Sequence, residues 1–175
     1  MTFEELGLKS EVLKSLVDLG FSAPTPIQEQ AIPHLMKEDC DFVGLAQTGT
    51  GKTAAFGLPL ISNIDTSLHL PQGLIICPTR ELCLQISKDL ASYSTYINCN
   101  IVAVYGGADI RKQMTDIKKG APIIVATPGR LMDLIKRKVI QLSQVRYVIL
   151  DEADEMLNMG FKEDIESILE TTPKE

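Results

Sequence analysis

Five short apolar runs punctuate the chain: Phe42–Ala46, Leu74–Cys77, Ile101–Val104, Ile123–Ala126 and Tyr147–Leu150. Each is too short for a typical helix and apolar at nearly every position, the pattern of a strand buried on both faces. Between them lie longer segments with apolar residues at helical spacing, such as Leu82, Ile86 and Leu90. Strands alternating with helices predict β-α-β units. The expected fold is therefore an α/β domain with a mostly parallel sheet and helices on both faces, three layers in all. Helix starts are marked as well. Thr2 with Glu5, and Thr25 with Gln28, have the S/T-x-x-E/Q form of a capping box, and Pro26 then falls at the first helical position. Pro33 lies in the same apolar pattern, where its missing amide is expected to kink or end the helix. The stretch 65–72, with Ser67, His69 and Pro71, reads as a surface loop.

Composition narrows the class. A length of 175 residues suits one domain, 1–175, and 45% apolar with 23% charged residues is ordinary for a globular protein. No run approaches the roughly 18 apolar residues of a membrane span, and Glu4 and Glu5 stand where a signal peptide would be basic. A cytoplasmic protein without membrane contact is expected. Cys40, Cys77, Cys83 and Cys99 form no C-x-x-C pair and have no His at zinc spacing, so reduced thiols and no structural metal are expected. His34 and His69, without partners nearby in sequence, read as structural or exposed. The net charge of −6 argues by itself against nucleic acid, but the charge is segregated. Arg111–Lys138 holds eight basic and two acidic residues, and 151–175 holds nine acidic and two basic. That basic stretch suits either a solvated face or a track for phosphates.

The first chemical tract is Ala46-Gln47-Thr48-Gly49-Thr50-Gly51-Lys52-Thr53, between a predicted strand and a helical segment. Its glycines permit amides to turn inward, the helix N-terminus adds positive potential, Lys52 can reach β and γ phosphates, and Thr53 can hold magnesium. Ala46 stands where the strict phosphate-loop pattern has its first glycine. Such a loop needs an acid at the end of another parallel strand to place the metal, and Val148-Ile149-Leu150-Asp151 provides it. Glu152, next in sequence, can orient or deprotonate a water, which favours an NTPase over a kinase.

Asp151-Glu152-Ala153-Asp154 also spells the motif of the DEAD-box RNA helicases, and the chain resembles their bacterial-type N-terminal RecA-like, P-loop NTPase domain from Phe3 to Asp154. Residues 20–28, with Phe21, Thr25 and Gln28, are similar to that family's Q motif, and Phe3 stands at its isolated upstream aromatic. The resemblance implies that Gln28 reads adenine, which suits an amide that donates and accepts at once. It implies a nucleotide site of Phe3, Phe21, Thr25, Gln28 and 47–53, with Lys52, Asp151 and Glu152 catalytic. ATP and magnesium are its implied cofactors, the metal held by Thr53 and Asp151, the latter directly or through water. Asp154 is implied in coupling between domains.

Pro78-Thr79-Arg80-Glu81 is similar to motif Ia, Gly106-Gly107 with Gln113 to the GG motif, and Thr127-Pro128-Gly129-Arg130 to motif Ib. Together they imply RNA held by its backbone without sequence preference. Taken singly, Thr79 and Thr127 also read as helix N-caps and the glycines as a turn. The family's S-A-T tract and second RecA-like domain, a further implied partner, do not follow Asp154. The chain alone is thus expected to bind ATP or ADP but to hydrolyse slowly, with a gap in its sheet that favours exchange or aggregation. Three other readings stand beside this one. Gln28 with Phe21, and Asp154 where related groups carry His, speak against a DNA helicase. A GTPase lacks its N-K-x-D tract, and intact Lys52, Asp151 and Glu152 speak against a non-catalytic RNA-binding or partner-docking module.

Overall fold

The computed structural model describes residues 1–37, 39 and 41–174, so Cys40 lies outside the described residues. In chain order it contains α1 (Ser10–Asp18), α2 (Pro26–Lys37), α3 (Lys52–Asn63), β1 (Gly73–Ile76), α4 (Arg80–Tyr93), β2 (Ile101–Val104), α5 (Ile110–Lys118), β3 (Ile123–Ala126), α6 (Pro128–Lys136), β4 (Tyr147–Leu150), α7 (Ala153–Asn158) and α8 (Lys162–Glu170). The chain divides into two compact units: 1–64 with 88–98, and 65–87 with 99–175.

In the first unit, α2 packs on α3 around a core that includes Leu16, Ile32, Leu58 and Ile61. Gly57 of α3 sits where a Cβ would lie 2.5 Å from Cδ2 of buried Leu90, so the absence of a side chain sets how near α3 comes to the end of α4. Helix α2 does not end at Pro33. It runs on to Lys37, because the proline forfeits one backbone bond while Ala31 and Ile32 stay buried in the core. The expectation that fails is the strand at Phe42–Ala46. This segment forms no strand, and Val43 and Leu45 are 85% and 94% exposed. Apolar residues specify a strand only where a neighbour offers ladder partners, and among the described residues none pairs with this segment.

The second unit holds the sheet, ordered β2-β3-β1-β4 with every pair parallel, and β1, β2, β3 and β4 match their predicted runs to within a residue. Leu74, Ile76, Val102, Val104, Ile124 and Ala126 share one face with Leu131, Leu134, Met156 and Ile168 of the helices that follow. Ile75, Ile123 and Val125, equally buried, alternate with them and point to the other face. At the start of the strands, Gln72 ties the sheet together. Its carbonyl accepts from the Arg146 and Tyr147 amides at 2.8 and 3.1 Å, and its side chain brackets both backbone groups of Asp65 at 2.9 and 2.8 Å.

The ladder also continues past the other ends of the strands. The amides of Cys77, Thr127 and Asp151 donate to the carbonyls of Ala126, Val104 and Ile76 at 3.0, 2.9 and 2.9 Å. The first residue after each of these strands is therefore fixed by the strand next to it.

Candidate functional site

The glycine-rich tract forms a turn over Thr48–Gly51 that leads directly into α3, whose first residue is Lys52. Gly49 and Gly51 have φ of 81° and 86°, a region that a side chain disfavours. Thr50 Oγ1 donates to the Gln47 carbonyl at 2.6 Å and closes the turn on itself. Gln47, Thr48 and Gly49 are exposed and Lys52 and Thr53 half-buried, so the loop is open to a ligand.

The Q-motif residues grip this loop. Thr25 Oγ1 donates to the Thr50 carbonyl at 2.9 Å, and Gln28 Nε2 donates to the Gly51 carbonyl at 3.1 Å. Only half of the expected capping box forms: the Thr25 amide donates to Gln28 Oε1 at 3.0 Å, while the Thr25 hydroxyl is turned to the loop instead of its own helix. Gln28 is 3% exposed and held at both ends of its amide, with one N–H and one lone pair left over. A Cβ on Gly51 would overlap that Nε2, which is a second reason for glycine there. Phe21 lies between Phe3 and Tyr93, with ring centroids at 6.1 and 6.0 Å. Phe3 is buried and meets Phe21, not solvent.

In the second unit, the other tracts fall at one edge of the sheet. Cys77–Glu81 follows β1, Tyr105–Ala108 follows β2, Thr127–Arg130 follows β3 and Asp151–Asp154 follows β4. Parallel strands end on the same side, which is where ligands of open α/β sheets collect. Thr79 Oγ1 accepts from the Leu82 amide at 3.2 Å, so it caps α4, whereas Thr127 makes no side-chain cap to α6. The Arg80 guanidinium lies 5.0 Å from the centre of the Tyr105 ring, beside Gly107. Gln113 and Arg130 are engaged within the protein. Gln113 Nε2 donates to the Tyr105 carbonyl at 3.0 Å, and Arg130 donates to Gln113 Oε1 at 3.0 Å and to the Ala108 carbonyl at 3.2 Å. Both thus shape the glycine loop. Pro78 and Pro128 are buried; Thr79, Arg80, Glu81, Gly106, Gly107 and Gly129 are exposed. A cavity of about 540 Å³ opens beside this loop, with Tyr105, Ala108, Lys112 and Gln113 among its walls.

Glu152 has φ 54° and ψ 48°, a left-handed backbone that a glutamate adopts only under constraint. Asp151 precedes it with its amide held by Ile76. The Cys77 thiol is pushed well above the usual thiol range by its hydrogen bond with Cys83, by burial and by the Asp151 charge. It is therefore no nucleophile in this site. Tyr93 and Tyr105 are the residues that sequence reasoning missed. Tyr105 adjoins Gly106 and was signalled by that adjacency, while nothing local marks Tyr93.

The sequence profile of the DEAD/DEAH box helicase family matches residues 25–175. The chain belongs to this family. A DEAD-box ATP-dependent RNA helicase CshA of Bacillus cereus is 51% identical over 173 residues, which cover 99% of this chain and 33% of that protein. An ATP-dependent RNA helicase DeaD of Klebsiella pneumoniae is 48% identical over 174 residues, 99% of this chain and 27% of that one. The crystal structure of a DEAD box protein from Methanococcus jannaschii superimposes with a TM-score of 0.95 at 42% identity, over 99% of this chain and 47% of that one. The fold is thus the RecA-like α/β domain of DEAD-box proteins. The chain spans about a third of the length of the curated relatives it matches.

Proposed function

We propose that this DEAD-box chain is the ATP-binding domain of an ATP-dependent RNA helicase, in which ATP binding and hydrolysis are coupled to RNA binding and local strand separation. The observation that carries the reading is the grip of Thr25 and Gln28 on the phosphate loop at 2.9 and 3.1 Å. An amide suited to adenine is held rigidly against the loop suited to phosphates, within one compact unit. Lys52 takes the β and γ phosphates, and Phe21 meets the base. The Thr53 hydroxyl and the Asp151 carboxylate are hard oxygen donors that fit magnesium, which when bound neutralises phosphate charge. Glu152 orients the attacking water and accepts its proton. RNA lies along exposed Thr79, Arg80, Gly106, Gly107 and Gly129, held through its phosphates. Asp154 and a second RecA-like domain complete the coupling. We infer the cytoplasm as its compartment, where ATP and RNA are both present.

Thermal unfolding with magnesium and ADP, ATP or GDP tests this reading. Adenine nucleotides at about a hundred times their Kd stabilise by roughly 2.7 kcal/mol, while GDP leaves the transition in place. Lys52→Ala abolishes the shift. Gln28→Ala weakens ATP without creating affinity for GTP. Equal stabilisation by ADP and GDP in the unsubstituted protein would reject the adenine assignment.

A further inference from the structure

Three rings meet beside the Q motif, and only one has a face to offer. Phe3 and Tyr93 are 5% and 6% exposed, whereas Phe21 is half-buried. The backbone of Phe21 is fixed by the end of α1. Gly20, at φ 76°, donates to the Val17 carbonyl at 3.0 Å and Phe21 to the Leu16 carbonyl at 2.9 Å, the paired bonds of a Schellman cap. Those bonds hold the main chain but leave the side-chain torsions open. The neighbours must set them. Phe3 packs on Phe21 tilted at 42°, and Tyr93 presents its edge at 70°, the geometry that aromatic pairs favour.

Tyr93 is in turn immobilised. It is the last residue of α4, 6% exposed, and its ring edge faces Gly57, where a Cβ would touch Tyr93 Cδ2 at an ordinary contact distance of 3.6 Å. Burial pushes its hydroxyl up to about 12, so it stays neutral across the working pH range. Nothing in the proposed chemistry uses this residue directly. Resting on the reading of this unit as an adenine-nucleotide site, we propose that Tyr93 is a positioning residue for the base, holding the Phe21 ring in the orientation that meets adenine.

A filler of the core would affect folding, whereas a positioning residue affects binding through Phe21. Titration of ADP in millimolar excess separates the two in a double-mutant cycle of Tyr93→Leu and Phe21→Leu, with Tyr93→Phe alongside. Tyr93→Leu weakens ADP about threefold to tenfold, and Tyr93→Phe stays within about twofold. In the Phe21→Leu background, Tyr93→Leu changes ADP affinity less than about twofold. Unchanged ADP affinity in Tyr93→Leu, or the same loss in both backgrounds, overturns the proposal. Should Tyr93→Leu not fold, Tyr93→Met, unbranched and able to adapt to the space but without the ring's edge, takes its place in the cycle. Failure of the unsubstituted protein to bind ADP is a separate outcome, which overturns the nucleotide reading itself.

Discussion

Glu152 carries a conformational cost that its side chain must justify. The left-handed region costs a residue with a Cβ roughly 1–2 kcal/mol, and glycine's extra freedom in the unfolded chain offsets about 0.5–1 of that. Glu152→Gly is thus expected to raise the urea midpoint by the equivalent of about 0.5–1 kcal/mol and, on the proposed function, to remove ATP hydrolysis. A lowered midpoint would show that the backbone there is unstrained. Lys52, Gln28 and Gly51 could be singled out as candidates at this scale because their chemistry and spacing are local. Gln113 and Arg130 were named as RNA residues too, but their contacts within the protein were not legible. Their partners are the Tyr105 and Ala108 carbonyls, which lie eight and twenty-two residues away and are reached only once α5 and α6 have packed.

Helices α3 and α4 depend on a residue that helix propensity alone would replace. Alanine at position 57 gains about 0.5–1 kcal/mol of propensity, but its Cβ meets Leu90 Cδ2 at 2.5 Å, and Leu90 is fully buried, so the core around it must shift. Overpacking of this kind costs about 1–3 kcal/mol, so Gly57→Ala should destabilise the protein in a denaturant titration, against the propensity scale. The strands divide in the same way between local and distant causes. Four of the predicted runs form strands because each finds a neighbour in the sheet. The run at Phe42–Ala46 has the same composition but no ladder partner among the described residues, and composition cannot reveal that.

For the molecule as a whole, two behaviours follow. Cys99 is raised by burial from an ordinary 9.0 to about 11. Its contribution is intact below pH 9, where both states hold the proton, and is lost as pH rises toward 11, where only the unfolded chain has released it. This loss has a slope of at most about 1.4 kcal/mol per pH unit. Unfolding midpoints measured from pH 8 to 11 should fall less steeply in Cys99→Ser. Hydrolysis is the second. On the proposed function, residues 1–175 alone bind ATP yet release phosphate very slowly even with RNA, because the arginines that would stabilise transition-state charge are ones that this proposal assigns to a second RecA-like domain. Rapid RNA-stimulated phosphate release by the chain alone would contradict this.

Gln72 directly precedes β1 and Arg80 follows it at the start of α4, with the four residues of the strand, about 13 Å of extended chain, between its two ends. Effects separated by more than about 7–10 Å with no shared partner combine additively. Substitutions around Gln72 and around the tracts beyond the strand ends therefore amount to independent dials. Variation in one group sets how long the protein lasts, and variation in the other sets what it binds, with neither change having to be relearned in the presence of the other.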